Sequence, residues 1–254
     1  MQLFKRICAA GLLFSLPVSA AAGELVIARE DTLNFPWQLQ EGVGADTFLI
    51  ERAARNLGYS VQFRKVPWKR CLNQIANNTF DGCFSASFKP DRLKYGVYPM
   101  INGQPDPDKR THTESYSLYV LNASPVGWSG DRFENLTGDI GSIYGYSIIE
   151  QLRAEGAGVF EADSNEQLFA MLLAGRLAAV ALLTSQADHL VQQNPDFRAA
   201  IRKIETPLVA KHYYLMLSHE MVQTNPDLVA ALYGEIAEIR ESAAYQDHYD
   251  SLFD

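Results

Sequence analysis

Arg92 follows Ser87 by five residues, and its planar guanidinium offers a fork of donors that matches a carboxylate bidentately and stays charged at any physiological pH. Ser85 and Ser87 lie two apart at the end of a β-prone run, so their hydroxyls share one side and can reach whatever Arg92 holds. The plain alternatives are a solvated arginine and strand-end packing or local capping by the serines. Gly145-Tyr146-Ser147 opens a helical pattern, where free backbone amides and the helix dipole favour an anion. Ser147 is equally suited to a simple helix cap. Phe35 and Trp37 flank Pro36, and Trp68 follows Pro67 with Arg70 close behind. The aromatic rings suit walls against a small molecule or ordinary core, and Arg70 suits a surface charge. His112, His189, His212, His219 and His248 are scattered without ligand spacing beside Cys71 or Cys83, so neither a metal nor a cofactor is expected.

The amino terminus sets the compartment. Lys5 and Arg6 precede the apolar run Ile7 to Val18, and small residues follow at Ser19, Ala20, Ala21 and Ala22. That is the pattern of a cleaved signal peptide over residues 1–22, with the cut after Ala20 or Ala22. The run is far short of the roughly 20 apolar residues that a spanning helix needs. Cys8 lies in no lipobox, so a soluble mature chain exported to the periplasm is expected. Losing Lys5 and Arg6 moves the formal charge from -8 to -10. Nucleic-acid binding needs a concentrated basic patch, and the densest basic stretch, Arg64 to Arg70, is diluted by apolar residues; that class is discounted. Cys71 and Cys83 are the two cysteines left, and in an oxidising compartment such a pair suggests a disulfide, with two buried thiols as the alternative.

These residues need elements to hold them. Glu24 to Ala28 reads as a strand and leads into a turn-rich loop through Trp37. From Ala45, Leu49, Ala53 and Leu57 fall four apart and Gly58 follows as a stop, so a helix is predicted there. Ser60 to Val66 alternates as a strand, Trp68 to Asn77 reads as a helix, and Asp81 to Ser87 as a third strand. That βαβαβ order favours a parallel sheet with ligands at the carboxyl ends of its strands. After a β-rich Ser115 to Leu121, a second unit follows. Gly138 to Ile143 is a strand, a helix opens at Gly145-Tyr146-Ser147 and runs to about Arg153, and Gly158 to Glu161 is a strand. Ser164 and Gln167 form a capping box, and Gly175 ends that helix. Leu177 to Leu183, apolar throughout, suits a strand buried on both faces. A strand from Tyr213 to Ser218 and a helix from Asn225-Pro226 finish the chain. The hydrophobic content of 47% is enough for a real core.

Three stretches carry a family resemblance. They are Glu30-Asp31 to Pro36-Trp37, the segment Phe80-Asp81-Gly82-Cys83-Phe84-Ser85-Ala86-Ser87 running to Arg92, and Ala174-Gly175-Arg176-Leu177. In order and spacing the chain resembles the bacterial extracellular solute-binding protein family 3. The resemblance covers nearly the whole mature chain. It implies an α/β, two-lobed type II periplasmic binding protein fold with a ligand cleft between the lobes. Residues 23–118 would begin lobe 1, 119–212 would form lobe 2, and 213–254 would return to lobe 1. It also implies a periplasmic protein that captures a small carboxylate-bearing polar metabolite, an amino acid or derivative, for uptake. The expected partners are that ligand and an inner-membrane ABC permease, with no nucleic acid, and a monomer is expected.

In similar proteins the arginine at the position of Arg92 holds the ligand carboxylate, an aromatic wall stands where Trp68 is, and a hydroxyl at Ser147 joins the carboxylate. Asp31 matches a position that can meet a cationic group of the ligand. One departure is large. The acid that pairs with an α-amino group just after the strand following Ala-Gly-Arg is replaced by Leu183 and Thr184. Burying an ammonium without a partner is costly, so either Asp31 takes over or the ligand lacks that amine. No enzymatic activity is expected. The rival readings are a dehydratase-like enzyme on the same fold, for which Glu150 is the nearest acid, and a sensory binding module without a transporter.

Overall fold

A computed structural model of the chain describes residues 23–31 and 33–253. The predicted leader lies outside the described residues. Lobe 1 begins with β1 (Gly23–Glu30), α1 (Ala45–Asn56), β2 (Tyr59–Val66), α2 (Trp68–Ala76) and β3 (Gly82–Ser87). A 3-10 turn at Pro90–Lys94 carries Arg92, and the small hairpin β4 (Met100–Ile101) and β5 (Gln104–Pro105) follows. The long strand β6 (His112–Leu121) then crosses to the second lobe.

Lobe 2 opens with the hairpin β7 (Gly127–Trp128) and β8 (Phe133–Glu134). Its body is β9 (Ile140–Ile143), α3 (Ile149–Ala154), β10 (Val159–Ala162), α4 (Asn165–Leu173), β11 (Ala179–Leu183), α5 (Thr184–Gln193), α6 (Pro195–Ala200) and β12 (Ile201–Lys203). Strand β13 (Val209–Leu217) crosses back, and α7 (His219–Thr224), α8 (Pro226–Arg240) and α9 (Ala243–Ser251) pack on lobe 1.

The strands form one continuous ribbon in the order β10-β9-β11-β6-β13-β3-β1-β2, with β12 on β6. β1 is parallel to β2 and β3, and β9 is parallel to β10 and β11, as βαβ units require. β6 and β13 pair antiparallel at Glu114–Lys211 and neighbouring residues, and they alone join the two halves of the ribbon. The sequence-based junctions 118/119 and 212/213 fall inside these two crossing strands.

Strand periodicity explains the cores. On β1, β3 and β13 the buried residues alternate faces: Ile27, Phe84 and Leu215 join α1 and α8 on one side, while Ala28, Cys83 and Met216 join α2 on the other. β11 is buried along its whole length, as the apolar run requires. Gly175 adopts φ 67°, the left-handed conformation that lets the chain leave α4 without a Cβ penalty.

The disulfide expectation is corrected here. Cys71 and Cys83 are two free, fully buried thiols in the apolar cluster between α2 and the sheet. They touch through their side chains, and that contact, with burial, raises the Cys71 thiol well above its usual range. Thiols in such surroundings pack as small hydrophobes. Among the described residues no group of side chains could hold a metal, and no helix is long and apolar enough to cross a membrane.

Candidate functional site

The carboxyl ends of β1 and β3 face the start of α3 across the seam between the lobes. Arg92 reaches this seam from the 3-10 turn and is 5% exposed. Its Nη1 donates to Ser87 O at 2.6 Å and to Ser87 Oγ at 3.0 Å, and its guanidinium lies 4.9 Å from the centre of the Trp68 ring. Tyr98 also donates to Ser87 O, at 2.9 Å, so Ser87 is fixed by two side chains of its own lobe. From there the contacts cross the seam. Ser87 Oγ donates to Ser147 Oγ at 3.0 Å, and Arg92 Nη2 points at Gly145 O at 3.5 Å.

Ser147 also meets a residue that sequence reasoning passed over. Lys211 Nζ donates to Ser147 O at 3.0 Å and to Ser147 Oγ at 3.1 Å, and lies 5.7 Å from the centre of the Tyr116 ring. Burial, with Arg92 and Lys89 as like charges nearby, pushes Lys211 down to about 8; Glu150 opposes this only partly. Arg92, Ser87, Ser147 and Lys211 thus form one hydrogen-bonded line across the seam, with a cation at each end. Tyr146, also buried, donates to Glu30 Oε2 at 3.1 Å, and burial and the Glu30 carboxylate raise its phenol well above the usual range.

The enclosed space at the seam is about 20 Å³ and is lined by Glu30, Trp68, Ser87, Arg92, Tyr146 and Ser147, with Asn34, Ser85, Tyr116, Leu183 and Tyr213 around them. It has room for about one water. Trp68, Arg92 and Tyr146 also line a larger pocket of about 320 Å³ at the mouth.

The remaining expected site residues are engaged elsewhere or lie outside the seam. Ser85 lines the seam but has φ 54° and gives its hydroxyl to Asp46 Oδ2 at 3.0 Å. Asp31 falls one residue past β1 and is exposed, while Glu30, at the strand end, enters the seam. Arg70 is exposed on α2. Trp37 stacks on His112 at 4.0 Å and donates to the buried Glu114 Oε2 at 2.8 Å, and Phe35 stacks on His189 at 4.5 Å. Thr184 bonds Ser115 O at 2.9 Å and Ser117 Oγ at 2.8 Å on the crossing strand. Phe35, Trp37 and Thr184 all line a separate pocket of about 460 Å³. Helix α3 begins at Ile149 rather than at Gly145 and has six residues, so Ser147 caps nothing and its hydroxyl serves the seam.

Lys211 was hidden by a strand boundary. The sequence places the last crossing strand at Tyr213, whereas β13 begins at Val209, and Lys211 shares a face with Tyr213, two residues on. Extending the alternation back by four residues was the available signal.

Neither a protein-family model nor a curated protein matches the chain. Solved structures do. An ancestral arginine-binding protein bound to arginine superposes with a TM-score of 0.72 at 18% identity, covering 92% of this chain and 100% of that one. The arginine-, lysine-, histidine-binding protein ArtJ from Geobacillus stearothermophilus gives 0.72 at 17% identity, covering 91% and 95%. The GluR0 ligand-binding core from Nostoc punctiforme in complex with L-glutamate gives 0.70 at 16% identity, covering 91% and 99%. The chain therefore has the two-lobed α/β fold of these binding proteins.

Proposed function

We propose that the protein is a periplasmic solute-binding protein that captures a small carboxylate-bearing polar metabolite, an amino acid or derivative, and passes it to an ABC permease. The observation that carries this reading is the seam itself. Arg92 and Ser87 from lobe 1 meet Ser147 from lobe 2 within 3.0 Å along one hydrogen-bonded line. A carboxylate entering between the serines would meet a charged fork on one side and hydroxyls on both.

Capture on this reading proceeds by lobe closure. About 20 Å³ is too little for an amino acid, so entry requires the lobes to part about β6 and β13, and closure then wraps the ligand. The ligand exchanges the direct Ser87–Ser147 contact for its own bonds to each lobe and so favours the closed form. Glu150, on which a dehydratase-like reading would rest, is paired with Lys89 and its side chain is 65% exposed at the mouth, a poor place for a general acid. We read the chain as a binder without catalysis, acting as a monomer.

The test is a thermal-shift screen of the refolded, ligand-free protein against amino acids, dicarboxylates, small peptides and cyclic acids. A ligand at 100 times its Kd stabilises by about 2.7 kcal/mol, which is about 5 to 10 °C for a chain of this size. Arg92→Ala should lower the affinity for that ligand about 100-fold or more while the fold, by circular dichroism, is kept. No shift with any of these acids, or an Arg92→Ala variant with full affinity, overturns the reading.

A further inference from the structure

We infer that the ligand carries a second acidic group and that Lys211 is its anchor, so that the cleft selects two-acid molecules, dicarboxylates or amino dicarboxylates, over one-acid ones. This rests on the solute-binding reading above.

The geometry supplies two cations where a single carboxylate needs one. Arg92 and Lys211 stand at opposite ends of the Ser87–Ser147 pair, each bonded to its serine. Among the described residues, the acidic side chains form ion pairs with Lys89, His112, Arg153, Lys203 and Arg240, and with neither Arg92 nor Lys211. Arg92 lines the enclosed space and Lys211 stands behind Ser147, which does line it; two partly desolvated like charges so close are costly until an anion enters. Burial first, and the like charges of Arg92 and Lys89 after it, lower the proton affinity of Lys211, and an anion beside it would offset both.

The acidic side of the cleft is thin. Leu183 lines the seam at the end of β11, and Thr184 is tied to Ser115 and Ser117, so neither offers a carboxylate to an amine. Among the described residues, Glu30 is the one acid lining the enclosed space, and it accepts from Tyr146. Arg92 and Lys211 each hold a serine rather than a carboxylate, so a ligand with two acids and at most one amine would give each cation an anionic partner. The mouth repeats the bias. Lys69, Lys89, Lys94 and Arg153 join Arg92 there against three carboxylates, in a chain whose formal charge is -8. A local basic funnel on an acidic protein steers anions to this entrance.

The experiment is calorimetric titration of the refolded protein with matched probes: L-glutamate against L-glutamine, L-aspartate against L-asparagine, succinate against butyrate, and L-arginine. The two-acid member of at least one pair should bind about tenfold or more tightly than its partner. Lys211→Met should erase that preference, and Lys211→Arg, which keeps the charge, should retain it. The pairwise comparison on the wild-type chain stands even if Lys211→Met fails to fold. If a one-acid or cationic probe binds at least as tightly as its two-acid counterparts, or Lys211→Met folds and keeps the preference, the inference is overturned and the solute-binding reading survives. If none of the probes and none of the acids of the wider screen binds, the reading beneath it fails as well.

Discussion

The charge state of Lys211 makes the ligand-free protein respond to alkaline pH in a calculable way. In the fold its ammonium is partly buried, bonded to Ser147 O and Oγ and packed over Tyr116, with Arg92 and Lys89 as like charges and Glu150 as the weaker opposite one; it is pushed down to about 8 from an ordinary 10.5. Between these values the unfolded chain holds a proton that the folded chain has released, so stability rises with pH across the window. Below about 8 the penalty is fully present. The gap corresponds to a ceiling of roughly 3 kcal/mol. Partial exposure screens it, and about 1 kcal/mol is expected. Urea unfolding of the wild type and Lys211→Met at pH 7.5, 8.5, 9.5 and 10 gives the answer, because the other titrating groups cancel in the difference. The wild type should gain about 1 kcal/mol on the variant over that range. A flat difference would show Lys211 solvated, with the lobes apart in the ligand-free protein, and the charge argument for the closed seam would fall.

Ligand affinity should move the other way: for a two-acid ligand it declines as pH rises through about 8, because the free protein loses the Lys211 proton that the ligand needs, and a profile flat to pH 9.5 contradicts this. Trp37→Phe keeps the stacking on His112 but strips the buried Glu114 of a donor, so it should cost about 1 to 3 kcal/mol of stability while ligand affinity changes by less than about threefold. Unchanged stability with a tenfold loss of affinity would place Trp37 in the cleft after all. Cys71 and Cys83 are fully buried, so in a chain without residues 1–22 a thiol reagent should find none in the native protein and two in urea. None in urea would show a bond between them.

The elements that the sequence announces are those with a local cause. The fourfold spacing of Leu49 and Ala53 yields α1, and the apolar run to Leu183 yields β11. Arg92, Ser87, Trp68, Tyr146 and Ser147 are brought together because the carboxyl ends of strands converge whatever the loops between them do. Direction in the first loop is different. The Trp37 indole goes to Glu114, 77 residues away, and no nearby residue signals that choice. Asp31 and Glu30 differ by one position at a strand end, and a strand's twofold alternation sends neighbours to opposite sides. Thr184 is drawn to the crossing strand by Ser115 and Ser117, partners visible only once the ribbon is assembled.

The placement of polar groups on the crossing strands bears on how capture and motion are linked. Glu114 on β6 accepts from Trp37 of lobe 1 and from Ser185 of lobe 2, and Lys211 on β13 reaches Ser147 of lobe 2. His112, at the start of β6, is stacked between Trp37 and Tyr213 of β13 and bonded to the buried Asp46 at 2.9 Å. Bending at these strands therefore changes the surroundings of several buried polar groups at once, which favours a few discrete arrangements over a continuous swing. Among the described residues, the direct ties that opening must break include Ser87 to Ser147, Arg92 to Gly145, Tyr146 to Glu30, Lys89 to Glu150 and Gln186 to Leu33 at 2.9 Å, with the stacking of Phe35 on His189 and Lys69 over the Tyr144 ring beside them. At about 1 kcal/mol net for a typical bond, their sum is of the size that a ligand's preference for one form can match. Any population held closed without ligand lowers the apparent affinity in proportion to the open fraction lost. Cutting Gln186 to Leu33, neither of which lines the enclosed space, should therefore raise the apparent affinity where this tie holds the ligand-free lobes shut. A Gln186→Ala variant that binds more weakly, with its fold intact, would show instead that the tie stabilises the liganded form more than the free one.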